Sequence, residues 1–293
     1  MDIAILSRDE NIYSTYRLIQ EGRERGHNMH VIDHMQCTIV IENNKPKLYF
    51  QNQLVKHIDA VIPRIGANVT DYGASIIQHF ESMGICSTLS SRVLINSRNK
   101  MKSLQVLSKH KISIPNTCYV NHLENTKLLE KVLGNPPWIL KIPEGTQGIG
   151  VILSESIASA ESTIETLLKL NTKVIVQEYI KESKATDIRV LVVDGKILGA
   201  MKRSASSGFR SNLHRGATGT AVELTKKEAK LALEATAILG LNIAGVDIIQ
   251  SNKGPLILEV NSSPGLEGIE ENTPVNVAKE IIIATEKLYH SKK

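Results

Sequence analysis

Asp247, Glu259 and Asn261 are the residues whose types and spacing point most directly to chemistry. They lie in the stretch from Gly245 to Asn261, which reads as two apolar strands reversed about Ser251-Asn252-Lys253-Gly254, since Asn and Gly supply the backbone angles a tight turn requires. Asp247 and Glu259 stand six residues either side of Lys253, so an antiparallel hairpin sets the two carboxylates roughly opposite one another. Asn261, two residues beyond Glu259, shares its face. Like charges facing each other destabilise a strand pair unless something positive lies between them, and an Asp, Glu, Asn set of oxygens is a ligand set for a hard cation such as magnesium. The competing reading is a solvated acidic hairpin face. Against it, both carboxylates are embedded in apolar strands, where a charge needs a partner.

A second group of residues suits an anion. Lys141 sits in the otherwise apolar strand Trp138-Ile-Leu-Lys-Ile142, and it meets either an anion or, from a sheet edge, solvent. The loop Glu144-Gly-Thr-Gln-Gly-Ile149 that follows reads as a phosphate cover, because its glycines let backbone amides approach closely; no Gly-Lys-Ser/Thr follows, so it is not a P-loop. Gln177-Glu-Tyr-Ile180 ends a strand and can present polar groups to an adenine edge. Asp187 and Arg189 share a strand face, in a ligand role or a structural ion pair. Lys202, Arg203, Arg210, His214 and Arg215, interleaved with Ser and Gly, form either a solvated basic face or a clamp for phosphate and carboxylate oxygens.

These residues need elements to hold them. Residues 2–6, 12–25 and 29–33 read as strand, helix, strand, a parallel α/β unit; a strand over 57–62 and a helix over 72–83 extend it, and the first 95 or so residues lack a Gly-x-Gly-x-x-Gly dinucleotide fingerprint. One helix is expected over Ser97–His110. Strands over 117–120, 138–142, 150–154 and 174–179, with helices over 126–133 and 156–170, make an α+β middle lobe. Beyond it, Asp194-Gly195 marks a hairpin, Thr225-Lys-Lys-Glu228 a capping box opening a helix, and residues 275–289 a final amphipathic helix. The expected organisation is three lobes, 1–96, 97–186 and 187–293, in an α/β and α+β fold class.

Composition fits this picture. The 293 residues are 42% hydrophobic and 22% charged, as in globular proteins, and no apolar run is long enough to cross a membrane, so a cytoplasmic location is expected. Three widely spaced cysteines have no metal or redox spacing. A net charge of +5 favours anionic partners, but one Trp and three Phe offer little for stacking on bases, so direct nucleic-acid readout is not expected.

Taken in order, Lys141 with its glycine loop, Gln177-Glu-Tyr-Ile180, Asp187-Ile-Arg189, Arg210-Ser-Asn212 and Asp247 with Glu259-Val-Asn261 resemble the ATP-grasp carboxylate-amine ligases. Val61-Ile-Pro-Arg-Ile-Gly66, Phe209-Arg-Ser-Asn-Leu-His-Arg-Gly216 and Asn261-Ser-Ser-Pro-Gly-Leu-Glu-Gly-Ile-Glu270 resemble the RimK-type alpha-L-glutamate ligases in particular. The resemblance implies an ATP-grasp fold, with an N-terminal α/β (pre-ATP-grasp) domain and two α+β lobes enclosing ATP. It implies that Lys100 and Lys141 touch phosphates or adenine, that Gly145 and Gly148 belong to the phosphate cover, that Glu178 and Tyr179 line the adenine pocket, and that Asp187 holds the ribose. Arg210, Ser211 and Asn212 would lie at the terminal phosphates, with Arg203 and Arg210 as the catalytic cations. Asp247, Glu259 and Asn261 would bind two Mg2+ or Mn2+ ions. The implied reaction joins L-glutamate to the acidic C-terminal peptide of a ribosomal protein, or to polyglutamate, through an acyl phosphate, in an enzyme expected to be a homo-oligomer. The alternatives are another ATP-grasp amino-acid or glutathione-synthetase-like ligase, sharing ATP and metal, and a non-catalytic nucleotide-binding regulator, whose expected mark, replacement of Asp247, Glu259 or Arg210, is absent.

Overall fold

A computed structural model describes residues 1–143, 150–205 and 218–291. Gly145, Gly148, Arg210, Ser211 and Asn212 lie outside the described residues, as do His214 and Arg215.

The chain opens with β1 (Asp2–Leu6), α1 (Tyr13–Glu24) and β2 (Asn28–Ile32). A three-stranded antiparallel sheet follows, β3 (Cys37–Glu42), β4 (Lys45–Phe50) and β5 (Gln53–Leu54), and then β6 (Ala60–Pro63), α2 (Thr70–Ser82) and β7 (Cys86–Ser87). Strands β2-β1-β6-β7 form a parallel sheet in that order, as the strand, helix, strand pattern requires. The small sheet is absent from the expectation above. Its turn, Asn43-Asn44, has positive φ at both residues, 51° and 59°, which is the hairpin chemistry that marks it.

Where one helix is expected over Ser97–His110, the chain makes two: α3 (Ser91–Arg98) and α4 (Lys100–Lys109). Asn99 breaks them. Its backbone is extended (φ −80°, ψ 106°), so it ends α3, and its side chain accepts the Lys102 amide at 3.0 Å and so caps α4. The break has a consequence for the site: Arg98 at the end of one helix and Lys100 at the start of the next both line the same cleft.

The central lobe contains β8 (Thr117–Val120), α5 (Lys127–Leu133), β9 (Trp138–Lys141), β10 (Val151–Ser154), α6 (Ile157–Lys169) and β11 (Val174–Glu178). Its sheet runs β10-β9-β11-β8, all antiparallel. One face, including Trp138, Leu140, Val174 and Val176, packs on Leu129 and Leu133 of α5 and Ala160 and Ile164 of α6 in a hydrophobic cluster of its own.

The last part holds β12 (Thr186–Val193), β13 (Lys196–Ser204), β14 (Thr218–Ala221), α7 (Lys226–Leu239), β15 (Ile243–Ser251), β16 (Gly254–Asn261), α8 (Glu267–Asn272) and α9 (Val277–Ser291). The strands form one antiparallel sheet, β14-β13-β12-β15-β16. Thr225 and Glu228 close the expected capping box on α7, and Asp194-Gly195, with φ of 51° and 71°, makes the expected turn. This sheet does not stand alone. Val190, Val192, Ala244 and Val246 share a cluster with Leu6, Val61 and Leu107, and Leu191, Val193 and Ile243 share another with Ile3, Ile5, Ile62 and α9. Polar clamps reinforce the union: Arg17 Nε pairs with Glu270 at 3.0 Å and Asn276 donates to Glu21 at 2.6 Å. The N-terminal and C-terminal parts thus rest on common cores, while the central lobe has a separate one. Among the described residues no helix is long and apolar enough to cross a membrane.

Replacing Asn99 by Ala removes the cap that separates α3 from α4 and should lower stability by about 1 kcal/mol. Denaturant unfolding checks this, and an unchanged midpoint would show that the break does not depend on the cap.

Candidate functional site

Strand pairing sets charges against one another across one face of the five-stranded sheet. Arg203 of β13 sits opposite Asp187 of β12, Arg189 of β12 opposite Asp247 of β15, and Asp247 opposite Glu259 of β16. Direct counting about the turn would place Leu258 opposite Asp247. A bulge corrects the count, because Ile248 pairs with Ile257 while Asp247 pairs with Glu259, leaving Leu258 as the extra residue. The bulge therefore brings the second carboxylate into line.

The ion pairs are close and largely desolvated. Arg203 Nε and Nη2 each lie 2.7 Å from an Asp187 oxygen, Arg203 Nη2 also reaches Asp247 Oδ1 at 2.9 Å, and Arg189 grips Asp247 with Nε on Oδ1 and with Nη2 on Oδ2 at 2.8 Å. Arg203 and Asp247 are 4% and 7% exposed. Burial works against both charges, but the opposing neighbours win. Asp247 is held below the usual carboxylate range by Arg189 and Arg203, and Arg203 is held above the usual arginine range by Asp247 and Asp187. Gly245 makes room for this arrangement: a Cβ there would fall 2.8 Å from Pro264 Cβ and 2.9 Å from Arg189 Nη1.

Asp187 and Arg189 are both ion-paired, to Arg203 and to Asp247. Arg203 spends its guanidinium on the two aspartates. Glu259 is exposed in the cleft, with no hydrogen-bond partner among the described residues, while Asn261 Oδ1 accepts the Ser263 amide at 2.9 Å. Among the described residues no three His, Cys, Asp or Glu side chains gather as a metal site. The candidate set consists of two carboxylates and an amide, and its oxygens are the donors a hard cation takes.

Across the cleft, Ile139, Lys141 and Val151 line the face of the central sheet opposite its apolar cluster. Lys141 lies on β9, which is flanked by β10 and β11, so it does not snorkel from a sheet edge. Burial pushes its ammonium down to about 8, with Lys100 adding to the fall and Glu259 and Asp247 opposing it. The end of β11 supplies a third wall. Gln177 is 2% exposed and donates to Thr117 Oγ1 at 2.9 Å, Glu178 Oε1 accepts the Asn116 amide at 2.8 Å, and Glu178, Tyr179 and Ile180 line the cleft. The cleft encloses about 1200 Å³, room for a nucleotide and a second substrate.

Two lining arginines were not singled out from the sequence. Arg64 donates to the Pro264 carbonyl and Arg98 to the Ile65 carbonyl. Arg64 was visible only within the phrase Val61-Ile-Pro-Arg-Ile-Gly66, and Arg98 was hidden inside what reads as a continuous helix.

A cleft in which lysines face carboxylates and their arginine partners, between an α+β lobe and a five-stranded antiparallel sheet, is the arrangement of an ATP-grasp ligase. Solved structures share this fold. The ATP-grasp ligase PsnB complexed with minimal precursor, Mg and ADP superposes with a TM-score of 0.75 at 20% identity, covering 98% of this chain and 97% of that one; a RimK domain protein from Sphaerobacter thermophilus gives 0.75 at 19%, covering 97% and 99%. D-alanine–D-alanine ligase from Bacillus anthracis complexed with ATP gives 0.73 at 19%, covering 99% and 98%. A family model described as RimK-like ATP-grasp domain matches residues 97–285, and one described as RimK PreATP-grasp domain matches residues 1–94. The "Probable alpha-L-glutamate ligase" of Marinobacter nauticus is 46% identical over 290 residues (99% of this chain, 96% of that protein), and the protein of the same description from Vibrio vulnificus is 48% identical over 288 (98% and 96%). The chain belongs to the RimK-type ATP-grasp family and is an ATP-dependent ligase.

The ion pairs separate two substitutions that look alike in sequence. Asp247→Asn leaves Arg189 without its carboxylate and removes one of the two that hold Arg203, and should cost roughly 3 kcal/mol of stability, whereas Glu259→Gln should change stability by less than about 0.5 kcal/mol. Denaturant unfolding of both variants checks this; equal losses would contradict it. A second expectation concerns pH. Lys141 must be protonated to attract phosphate, so nucleotide affinity should fall as pH rises through about 8, approaching tenfold per unit if one proton is fully coupled. Lys141→Arg, charged throughout this range, should flatten the profile when the ATP dissociation constant is titrated between pH 7 and 9.5.

Proposed function

We propose that this enzyme forms an amide between L-glutamate and the C-terminal carboxylate of an acidic peptide or glutamate chain, with a small-subunit ribosomal protein as the acceptor the family resemblance implies. The observation that carries the reading is the facing of two charge sets across one cleft: Lys141 and Lys100 on one wall, Asp247, Glu259 and Asn261 on the other. The description shared by relatives 46–48% identical over nearly the whole chain supports glutamate as the amine.

In this reading, Lys141 and Lys100 bind the phosphates of ATP, the end of β11 at Glu178 and Tyr179 borders the adenine, and Asp187 meets the ribose. Arg210, Ser211, Asn212, Gly145 and Gly148 belong to the same proposal through their motifs. Asp247, Glu259 and Asn261 would hold two Mg2+ or Mn2+ ions, which when bound would neutralise charge on the transferring phosphoryl group. Arg189 and Arg203 keep Asp247 ionised and oriented.

The acceptor carboxylate attacks the γ-phosphorus of ATP and expels ADP. The glutamate nitrogen then attacks the acyl carbon, phosphate leaves, and the amine gives up a proton. Phosphorylation is needed because a carboxylate has no adequate leaving group of its own. Cationic side chains aimed at the phosphates lower the barrier by stabilising charge where it develops, and exclusion of water protects the acyl phosphate from hydrolysis.

Phosphate release from ATP should depend jointly on Mg2+, glutamate and an acidic C-terminal peptide. Mass spectrometry should show the acceptor growing by whole glutamate residues. Screening each amino acid in turn separates this activity from that of another amino-acid ligase, and no covalent product with any amine would sink the ligase reading of the site.

A further inference from the structure

The cleft has a cationic end that the phosphate-binding reading does not use. Arg64, in the loop after β6, and Arg98, at the end of α3, both line it, and neither forms an ion pair with a carboxylate among the described residues. Each spends one Nη2 donor on a backbone carbonyl, Arg64 on Pro264 and Arg98 on Ile65. Among the described residues Arg98 Nε and Ser263 Oγ are buried without a hydrogen-bond partner, and Ser263 adjoins the Pro264 carbonyl that Arg64 holds. Two guanidiniums and a hydroxyl are therefore gathered beside one loop, with hydrogen-bonding capacity unspent. Two such cations placed together without a counter-charge are costly, as the direction of their titration records: burial lowers both, Arg98 adds to the fall at Arg64, which reaches about 10, and Glu259 opposes the fall at Arg98. A bound anion would offset that cost.

Position separates this anion from the triphosphate. Lys141 lies on β9 of the central sheet, whereas Arg98 donates to the Ile65 carbonyl in the loop after β6 and Arg64 to the Pro264 carbonyl in the loop after β16. The arginine pair is thus held by the loops after β6 and β16, apart from the central sheet that carries Lys141.

We propose that Arg64, Arg98 and Ser263 form a receptor for a substrate carboxylate that is not itself phosphorylated, held in the fork geometry guanidiniums offer. The proposal rests on the ligase reading above and deepens it. The carboxylate can come from the amino acid that supplies the amine or from a side chain of the acidic acceptor; the chemistry of recognition is the same, and the test distinguishes the sources.

The test compares the wild-type enzyme with Arg98→Gln and Arg98→Lys, each first shown to be folded by thermal unfolding. KM is measured separately for ATP, for glutamate and for a peptide ending in glutamates. Arg98→Gln should raise the KM of one carboxylate substrate by about tenfold to a hundredfold while changing the KM of ATP much less, and Arg98→Lys should recover part of the loss. If the amino acid is the source, glutamate α-amide or glutamine should be a poor substrate for the wild type and no poorer for Arg98→Gln; if the acceptor is the source, the same equality should hold for a peptide with internal Glu→Gln changes. An equal rise in the KM of ATP, or no change in either carboxylate substrate, would overturn the proposal. Binding of glutamate and of the peptide, followed by calorimetry without turnover, keeps the two readings apart. Binding that weakens in Arg98→Gln without any product would count against the ligation scheme alone, and the absence of binding of either compound to the wild type would overturn the receptor.

Discussion

Five charged residues on one face of an antiparallel sheet are the constraint on which the site depends. Arg203, Asp187, Arg189, Asp247 and Glu259 come from four strands, and register puts opposite charges across three successive strands before ending on two facing carboxylates. Removing charges from water is expensive, and that expense is tolerable only when each meets a partner at hydrogen-bonding distance. A slip of one residue in any strand would turn a charge into the apolar layer beneath. The charges therefore specify the register of the sheet at least as much as they stabilise it. The bulge at Leu258 and the missing side chain at Gly245 are local concessions to this pattern, one aligning Glu259 with Asp247 and the other opening the path of Arg189.

The distribution of apolar contact explains how such a face can serve a substrate that must enter and leave. The C-terminal sheet shares hydrophobic clusters with the N-terminal parallel sheet on both of its sides, so those parts form one base. The central lobe, which carries Lys141, keeps its cluster to itself. Movement of that lobe over the base would expose little apolar surface, and a cleft between two separately cored bodies is where closure around a nucleotide is least costly. Asn99 sits where the base meets the cleft, and its break in the helix lets one short segment present both Arg98 and Lys100.

Much of this could be read from the residues, and the failures have physical reasons. The hairpin that carries Asp247 and Glu259 is legible because turn chemistry is a local property, but counting six residues either side of Lys253 reaches the facing of the two carboxylates without the bulge at Leu258 that produces it. The Asp194-Gly195 turn and the Thr225 capping box were legible for the same reason. The partners of Asp187 and Arg189 were not, because cross-strand register depends on how β12 and β13 align and on how β12 meets β15, more than fifty residues away. Lys141 was ambiguous between edge and interior because strand order within a sheet is invisible to periodicity. The small sheet of residues 37–54 was missed although Asn43-Asn44 marks its turn, and Arg98 was hidden because a single capping residue split a segment whose apolar spacing runs on. Local rules thus found the metal-ligand candidates, while the cations that surround them arrive from four distant segments.

That dispersal bears on how one cleft manages charge through a reaction cycle. A site for phosphoryl transfer must concentrate cations, yet in the absence of nucleotide those cations repel one another in a poorly solvated space. Here Asp187 and Asp247 answer Arg189 and Arg203, and Glu259 acts on both Lys141 and Arg98. If the three hairpin residues take a divalent ion together with ATP, the carboxylates serve twice: they neutralise arginines in the empty cleft and share their oxygens with the metal in the filled one. Arg189 and Arg203 then hold Asp247 below the usual carboxylate range, which lessens the competition between a proton and the ion for that oxygen. Lys141 has no carboxylate at hydrogen-bonding distance among the described residues, and a phosphate bound beside it would favour its protonated form against the burial that opposes it.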